Sequence, residues 1–202
     1  MITVIDYGLG NLASVANALE KLEIPYEISG NPDVIKKADG LILPGVGAAG
    51  QGMKNLKKRK LDTVILNQIK KGVPILGICL GMQLLFDTSE EGKVKCLGIF
   101  DGVVKKFKKM KKVPQIGWNN IRIKNQKTRI MKKISDDNYF YYVNSYYCKP
   151  KDQSIIVGES FYGETFAGIV AKDNVVGVQF HPEKSGKVGF TLLKNFITYY
   201  VN

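Results

Sequence analysis

Residues 73–86 read VPILGICLGMQLLF. A short apolar run, Val73 to Ile78, meets a Gly-x-Cys-x-Gly frame, Gly77 to Gly81, and a second apolar run extends to Phe86. Glycine admits left-handed backbone and the close approach of other segments, so this frame lets the chain reverse sharply with the middle side chain at the apex. Built on serine, the same frame is the nucleophile elbow of hydrolases, where a strand ends, one residue is pushed up and a helix begins. The spacing predicts a strand over 73–78, a helix over 80–86, and Cys79 between them at a helix N-terminus. Unpaired backbone N–H groups and the positive end of the helix dipole favour negative charge there, a reactive setting for sulfur. A cysteine taken alone reads more simply as a small buried apolar residue. The nucleophile reading stands beside it only if the chain supplies a base.

Working towards the N-terminus, short apolar runs alternate with amphipathic stretches. ITVID, PYEIS and GLILPG read as strands; NLASVANALEKL and LDTVILNQIKKG read as helices, the second closed by Gly72. This alternation predicts a mostly parallel sheet with helices on both faces. Beyond residue 92 the pattern changes to strand-like pieces joined by turns (GIFDGVVKKF, NNIRIK, YFYYVNSYY, SIIVGES, ETFAGIVAK, NVVGVQF), before a final helix in GFTLLKNFITYYV. A mixed or antiparallel extension of the parallel core accommodates both halves. With 202 residues, no repeat and no Ser/Gly/Pro-rich linker, the expectation is one α/β domain over residues 1–202.

The base follows from composition, because the chain has a single histidine. His181 lies in VGVQFHPEKSG, just past an apolar strand, where open α/β sheets carry functional side chains. Pro182 biases His181 towards extended backbone, so residues 181 and 183 should project to the same side. Glu183 would then accept a hydrogen bond from the imidazole, orienting the ring and leaving its other nitrogen for the thiol. LILPGVGAAG ends a further apolar strand in a glycine-rich loop able to present backbone N–H groups to a developing negative charge. One signal competes: Gly8, Gly10 and Ala13 fit G-x-G-x-x-G/A after the first strand, with Glu27 beyond, the pattern of a dinucleotide-binding module. That module leaves Cys79, His181 and Glu183 unexplained.

Other classes are set aside by totals. The net charge of +12 and the run KKFKKMKK (Lys105 to Lys112) invite a nucleic-acid reading, but the 30 basic residues include only three arginines, Arg59, Arg122 and Arg129. Arginine dominates base-edge recognition, and an excess of lysine reads as a solvated surface. The longest apolar-leaning run is far short of the ~20 residues that span a bilayer, and the acidic start MITVIDYG is unlike a signal peptide. We expect no nucleic-acid or membrane partner and a cytoplasmic location. The cysteines, Cys79, Cys96 and Cys148, are odd in number and far apart, so neither a disulfide framework nor a metal site is expected.

IDYGLGNL, LPGVG, GICLGMQLLF, GWN, VNSYY and VQFHPEKSG occur in the order and spacing of the class I, triad-type glutamine amidotransferases. Within that class the chain most resembles the glutaminase subunits of imidazole glycerol phosphate synthases, along essentially its whole length. The resemblance implies a flavodoxin-like fold, L-glutamine as substrate, no cofactor, and a triad of Cys79, His181 and Glu183. It further implies oxyanion stabilisation by backbone N–H groups of Leu80 and around Val46 and Gly47. Gln83, Glu91, Ser145 and Tyr146 would hold the glutamine, Glu91 at its α-ammonium group. The implied partner is a cyclase subunit with a (β/α)₈ barrel that receives the ammonia, contacted in part by the PQIGWNN loop with Trp118. Two positions depart from the family pattern: Gln115 and Asn144 stand where histidines are usual. They leave open a paralogous role, supplying ammonia to a sugar amidotransferase that makes amidino sugars of surface glycans.

Overall fold

Strands with no polar face build the centre. In the computed structural model, which describes residues 1–110, 112–125, 127–136 and 138–201, β1 (Ile2–Ile5) is followed by α1 (Leu12–Lys21), β2 (Tyr26–Ser29), α2 (Pro32–Ile35) and β3 (Gly40–Leu43). Then come α3 (Ala49–Lys58), α4 (Leu61–Lys70), β4 (Ile75–Ile78) and α5 (Leu80–Leu84). Lys111 of the lysine-rich run lies outside the described residues. β1, β3 and β4 are buried at every position, as parallel strands covered on both faces must be, which is why they read as continuous apolar runs. Val15 and Leu19 of α1, with Leu192 and Phe196 of the C-terminal helix, pack on one face against Val4, Ile42 and Leu76. Met53 and Leu56 of α3 and Ile65 of α4 cover the other face, against Ile5, Leu41 and Ile75.

The second half supplies β5 (Phe86–Ser89), β6 (Val94–Lys95), β7 (Phe100–Lys106), β8 (Gln115–Asn120), β9 (Arg122–Ile123) and β10 (Tyr139–Asn144). β11 (Tyr146–Pro150), β12 (Ile156–Phe161), β13 (Thr165–Lys172), β14 (Val175–Val178) and α6 (Gly186–Phe196) complete it. The large sheet runs β2-β1-β3-β4-β14-β13-β11-β7-β5-β6, with β12 attached to β13 and β9 to β12, while β8 and β10 form a separate antiparallel pair. β14 lies parallel to β4 with Val178 opposite Ile78. Residues 179–184 therefore leave the sheet beside Cys79, at the carboxyl ends of adjacent parallel strands, where open α/β sheets gather ligands. No helix among the described residues is long and apolar enough to cross a membrane.

Several boundaries differ from the sequence reading. The helix expected over 80–86 stops at Leu84, because the carbonyls of Leu84, Leu85 and Phe86 accept from Leu97, Ile99 and Gly98 instead of continuing a helical ladder. The chain then enters β5. YFYYVNSYY, read as one strand, breaks at Ser145: β10 pairs with β8, whereas β11 joins the large sheet. PQIGWNN, expected as a loop, forms β8 from Gln115 onward.

Candidate active site

Cys79 sits at φ 52°, ψ −107°, a backbone state that non-glycine residues rarely adopt, between the end of β4 and the start of α5. Strain of this kind costs on the order of 1–3 kcal/mol and persists only where the surroundings over-determine it. Here Cys79 N–H is held by the Val178 carbonyl at 2.8 Å. The flanking glycines are required by crowding. A Cβ on Gly81 would run into the Leu43 carbonyl oxygen, and one on Gly77 would lie 2.8 Å from the Met82 nitrogen. The tight frame in the sequence thus records strand-to-helix contact so close that only hydrogen fits.

His181 and Glu183 form a buried pair, their side chains 3% and 2% exposed, with Nδ1 to Oε1 at 2.8 Å. The expected reason for their alignment was strand alternation. In fact His181 alone is extended, and Pro182–Lys184 forms a 3₁₀ turn that brings Glu183 back under the ring. That turn is secured by Ser185, whose hydroxyl donates to the His181 carbonyl at 2.6 Å and accepts the Tyr141 N–H at 3.0 Å. The His181 N–H in turn donates to the Tyr141 carbonyl at 2.9 Å. Burial disfavours the charged ring, but hydrogen bonding to Cys79 and to Glu183, together with the negative charges of both, raises the imidazole to about 10. The ring therefore holds its proton at neutral pH.

Cys79 and His181 line one cleft of about 270 Å³. Val46, Gly47, Leu80, Gln83, Glu91, Ser145 and Tyr146 line it too, so every residue singled out in the sequence for binding or oxyanion contact borders the same space. Glu91 is fixed by accepting the Ala49 N–H at 2.8 Å, at the first turn of α3. The Leu80 N–H, expected to meet an oxyanion, points to the Gly45 carbonyl at 3.3 Å, a long and weak hydrogen bond. Gly47 is in left-handed backbone at φ 107°. Tyr7, fully buried, donates to the Pro44 carbonyl at 2.9 Å and anchors this loop from beneath. Burial, and then the nearby Cys79 charge, push the Tyr7 phenol well above its ordinary value.

The sequence reading did not single out Tyr7, Lys184, which also borders the cleft, or Gln179, whose Nε2 reaches Cys79 Sγ at 3.7 Å. All three lie within motifs quoted above, but nothing in their spacing announces which neighbours they meet. Gln115 and Asn144 are direct cross-strand partners in the β8–β10 pair. Both are buried, and Gln115 Oε1 and Asn144 Oδ1 find no donor among the described residues. The same pair exposes Ile116, Trp118 and Tyr139 on its outer side. The glycine-rich turn after β1 is filled from within the protein: Arg59 Nη1 donates to the Asp6 carbonyl, and the Arg59 guanidinium would stand 3.2 Å from a Cβ on Gly8.

An α/β sheet carrying a cysteine elbow and a His–Glu pair at its carboxyl edge defines a triad-type amidotransferase architecture. The family described as glutamine amidotransferase class-I matches residues 3–199, and the chain belongs to it. Relatives described as imidazole glycerol phosphate synthase subunit HisH resemble it closely. The one from Moorella thermoacetica is 45% identical, covering 96% of this chain and 93% of its own length. The one from Aquifex aeolicus is 47% identical, covering 96% and 94%. Among solved structures, one described as PurLQS from Thermotoga maritima superposes with a TM-score of 0.79 at 19% identity, over 98% of this chain and 97% of that one. A structure described as a glutamine amidotransferase gives 0.78 at 14% identity, over 98% of each. At such identities these two speak for the fold.

Proposed function

We propose that the chain is the glutaminase subunit of an imidazole glycerol phosphate synthase, a single domain over residues 1–202 that hydrolyses L-glutamine to glutamate and ammonia in histidine biosynthesis. The observation that carries the reading is the buried His181–Glu183 pair, whose imidazole residue lines one cleft with Cys79 on its strained elbow. HisH relatives that match along almost their whole length support the same assignment.

Cys79 attacks the side-chain carboxamide carbon of glutamine and the carbonyl electrons move to oxygen. The oxyanion is met by backbone N–H groups of the Val46–Gly47 segment and by that of Leu80 once it releases the Gly45 carbonyl it now meets at 3.3 Å. His181 then gives its proton to the departing nitrogen, and ammonia leaves a thioester on sulfur. The causes of the raised His181 pKa explain why one ring serves both half-reactions. Two of them, the hydrogen bond to Cys79 and the Cys79 charge, vanish once the sulfur is acylated. The ring then binds a proton less tightly and can accept one from the water that hydrolyses the thioester. Glu183 remains throughout and keeps the ring oriented. Gln83, Glu91, Ser145 and Tyr146 hold the amino-acid end of the substrate, with Glu91 opposite its ammonium.

Ammonia freed into water at neutral pH is mostly protonated and lost as a nucleophile, so it must pass directly to an acceptor. The acceptor is a (β/α)₈-barrel cyclase subunit, docked on the face where Ile116, Trp118 and Tyr139 stand exposed, on the strand pair whose Val143 and Asn144 line the cleft. Mixing the chain with a cyclase barrel and measuring glutamate formation tests this: strong stimulation is expected. Stimulation by a sugar amidotransferase alone would overturn it.

A further inference from the structure

Gln179 has no role in the mechanism above, yet its side chain touches the reacting sulfur. It follows β14 directly and is fully buried. Its Nε2 donates to Cys79 Sγ at 3.7 Å, and its Oε1 accepts from Gln83 Nε2 at 3.1 Å. Gln83 Nε2 also donates to the Tyr146 carbonyl at 3.1 Å. A primary amide offers two donor hydrogens and one acceptor oxygen. Both hydrogens of Gln83 are thus committed, and Gln83 can meet Gln179 only at its oxygen. That contact turns the Gln179 NH₂ towards the sulfur.

We propose that Gln179 is a positioning residue for the nucleophile, holding Cys79 Sγ in place and stabilising its anion by a hydrogen bond independent of His181. The inference rests on Cys79 being the nucleophile. The sulfur has a second neighbour of opposite preference, the Val143 carbonyl at 3.7 Å, which can accept from S–H and repels S⁻. Gln179 counters that contact, since a donor to an ionised partner is stronger than one to a neutral partner. Because Gln83 borders the cleft, the relay Gln83 to Gln179 to Cys79 ties the substrate-binding wall to the reacting atom.

Alkylation of Cys79 by iodoacetamide in the full-length chain, followed against pH, tests this, with peptide mass spectrometry separating it from the free thiols Cys96 and Cys148. Gln179→Met keeps the side-chain length and removes the donor. The alkylation midpoint is expected to rise by roughly one pH unit and the rate on the acid side of it to fall roughly tenfold, the scale of one hydrogen bond to a charged group. Gln83→Met leaves Gln179 in place but frees its amide to turn, giving a smaller rise; it decides the matter if Gln179→Met does not fold. Unmoved midpoints in the folded variants, even with lowered melting temperatures, would overturn the proposal. Wild-type alkylation without preference for Cys79 would instead remove the nucleophile reading, and the proposal with it.

Discussion

Replacing Glu183 by glutamine should slow glutamine hydrolysis while leaving the fold intact. The two side chains have nearly the same shape, and glutamine can still accept the His181 Nδ1–H at the position where Glu183 Oε1 now lies at 2.8 Å. What disappears is the negative charge beside a ring that is 3% exposed. A hydrogen bond to a charged group contributes about 1.5–3 kcal/mol, against about 1 kcal/mol for a neutral one. The loss of ~1–2 kcal/mol lowers the imidazole by roughly one unit from about 10. The same loss reduces kcat by roughly tenfold if the charged ring is the proton donor to the leaving nitrogen. The effect has a sign in stability too. The His181 pKa is about 10 in the folded chain against an ordinary 6.5. Stabilisation by its charged form is therefore complete below about pH 6.5 and drains away as pH rises towards 10. Wild type should therefore hold its advantage over Glu183→Gln up to roughly pH 9, the lowered value in the variant, and lose it as pH climbs past about 10. The assay is glutamate release by the chain with its cyclase partner, with urea melts from pH 6 to 10 in parallel. Wild-type kcat in Glu183→Gln, with stability curves parallel in pH, would refute the reasoning.

Three further substitutions probe the supports. Gly81→Ala forces a Cβ into the Leu43 carbonyl, and should destabilise the chain by about 3 kcal/mol or more in chemical denaturation. Tyr7→Phe removes the donor to the Pro44 carbonyl in a fully buried setting; about 1–3 kcal/mol of stability should be lost, with slower turnover as the loop bearing Val46 and Gly47 loosens. Gln115→Met deletes a buried acceptor that finds no donor among the described residues. Calorimetry should find the melting temperature unchanged or raised, since removing an unsatisfied polar atom removes its desolvation penalty.

What the sequence disclosed depended on whether local pattern or distant contact determined the outcome. The parallel core was legible because strands buried on both faces leave continuous apolar runs, and the elbow because only paired glycines tolerate that crowding. α3 was not recognised: AGQGMKNLKK holds two glycines, and its register comes from packing, with Gly52 against Leu84. The break at Ser145 was hidden because the aromatic and β-branched residues on both sides outweigh the one turn-favouring pair, Asn144–Ser145, that marks the change of sheet. His181 and Glu183 were brought together by a 3₁₀ turn where alternation had been expected; the pairing was legible, its backbone cause was not. Gln179 escaped notice because its partners lie about a hundred residues away in the chain.

The most direct test of the account is to catch the covalent intermediate. Glutamine is mixed with the chain and its cyclase partner, the reaction is acid-quenched within one turnover, and the chain is digested and read by mass spectrometry. A γ-glutamyl thioester on the peptide bearing Cys79, absent from Cys79→Ala together with glutamate release, is the expected result. Acylation at another residue, or glutamate release that survives Cys79→Ala, would contradict it.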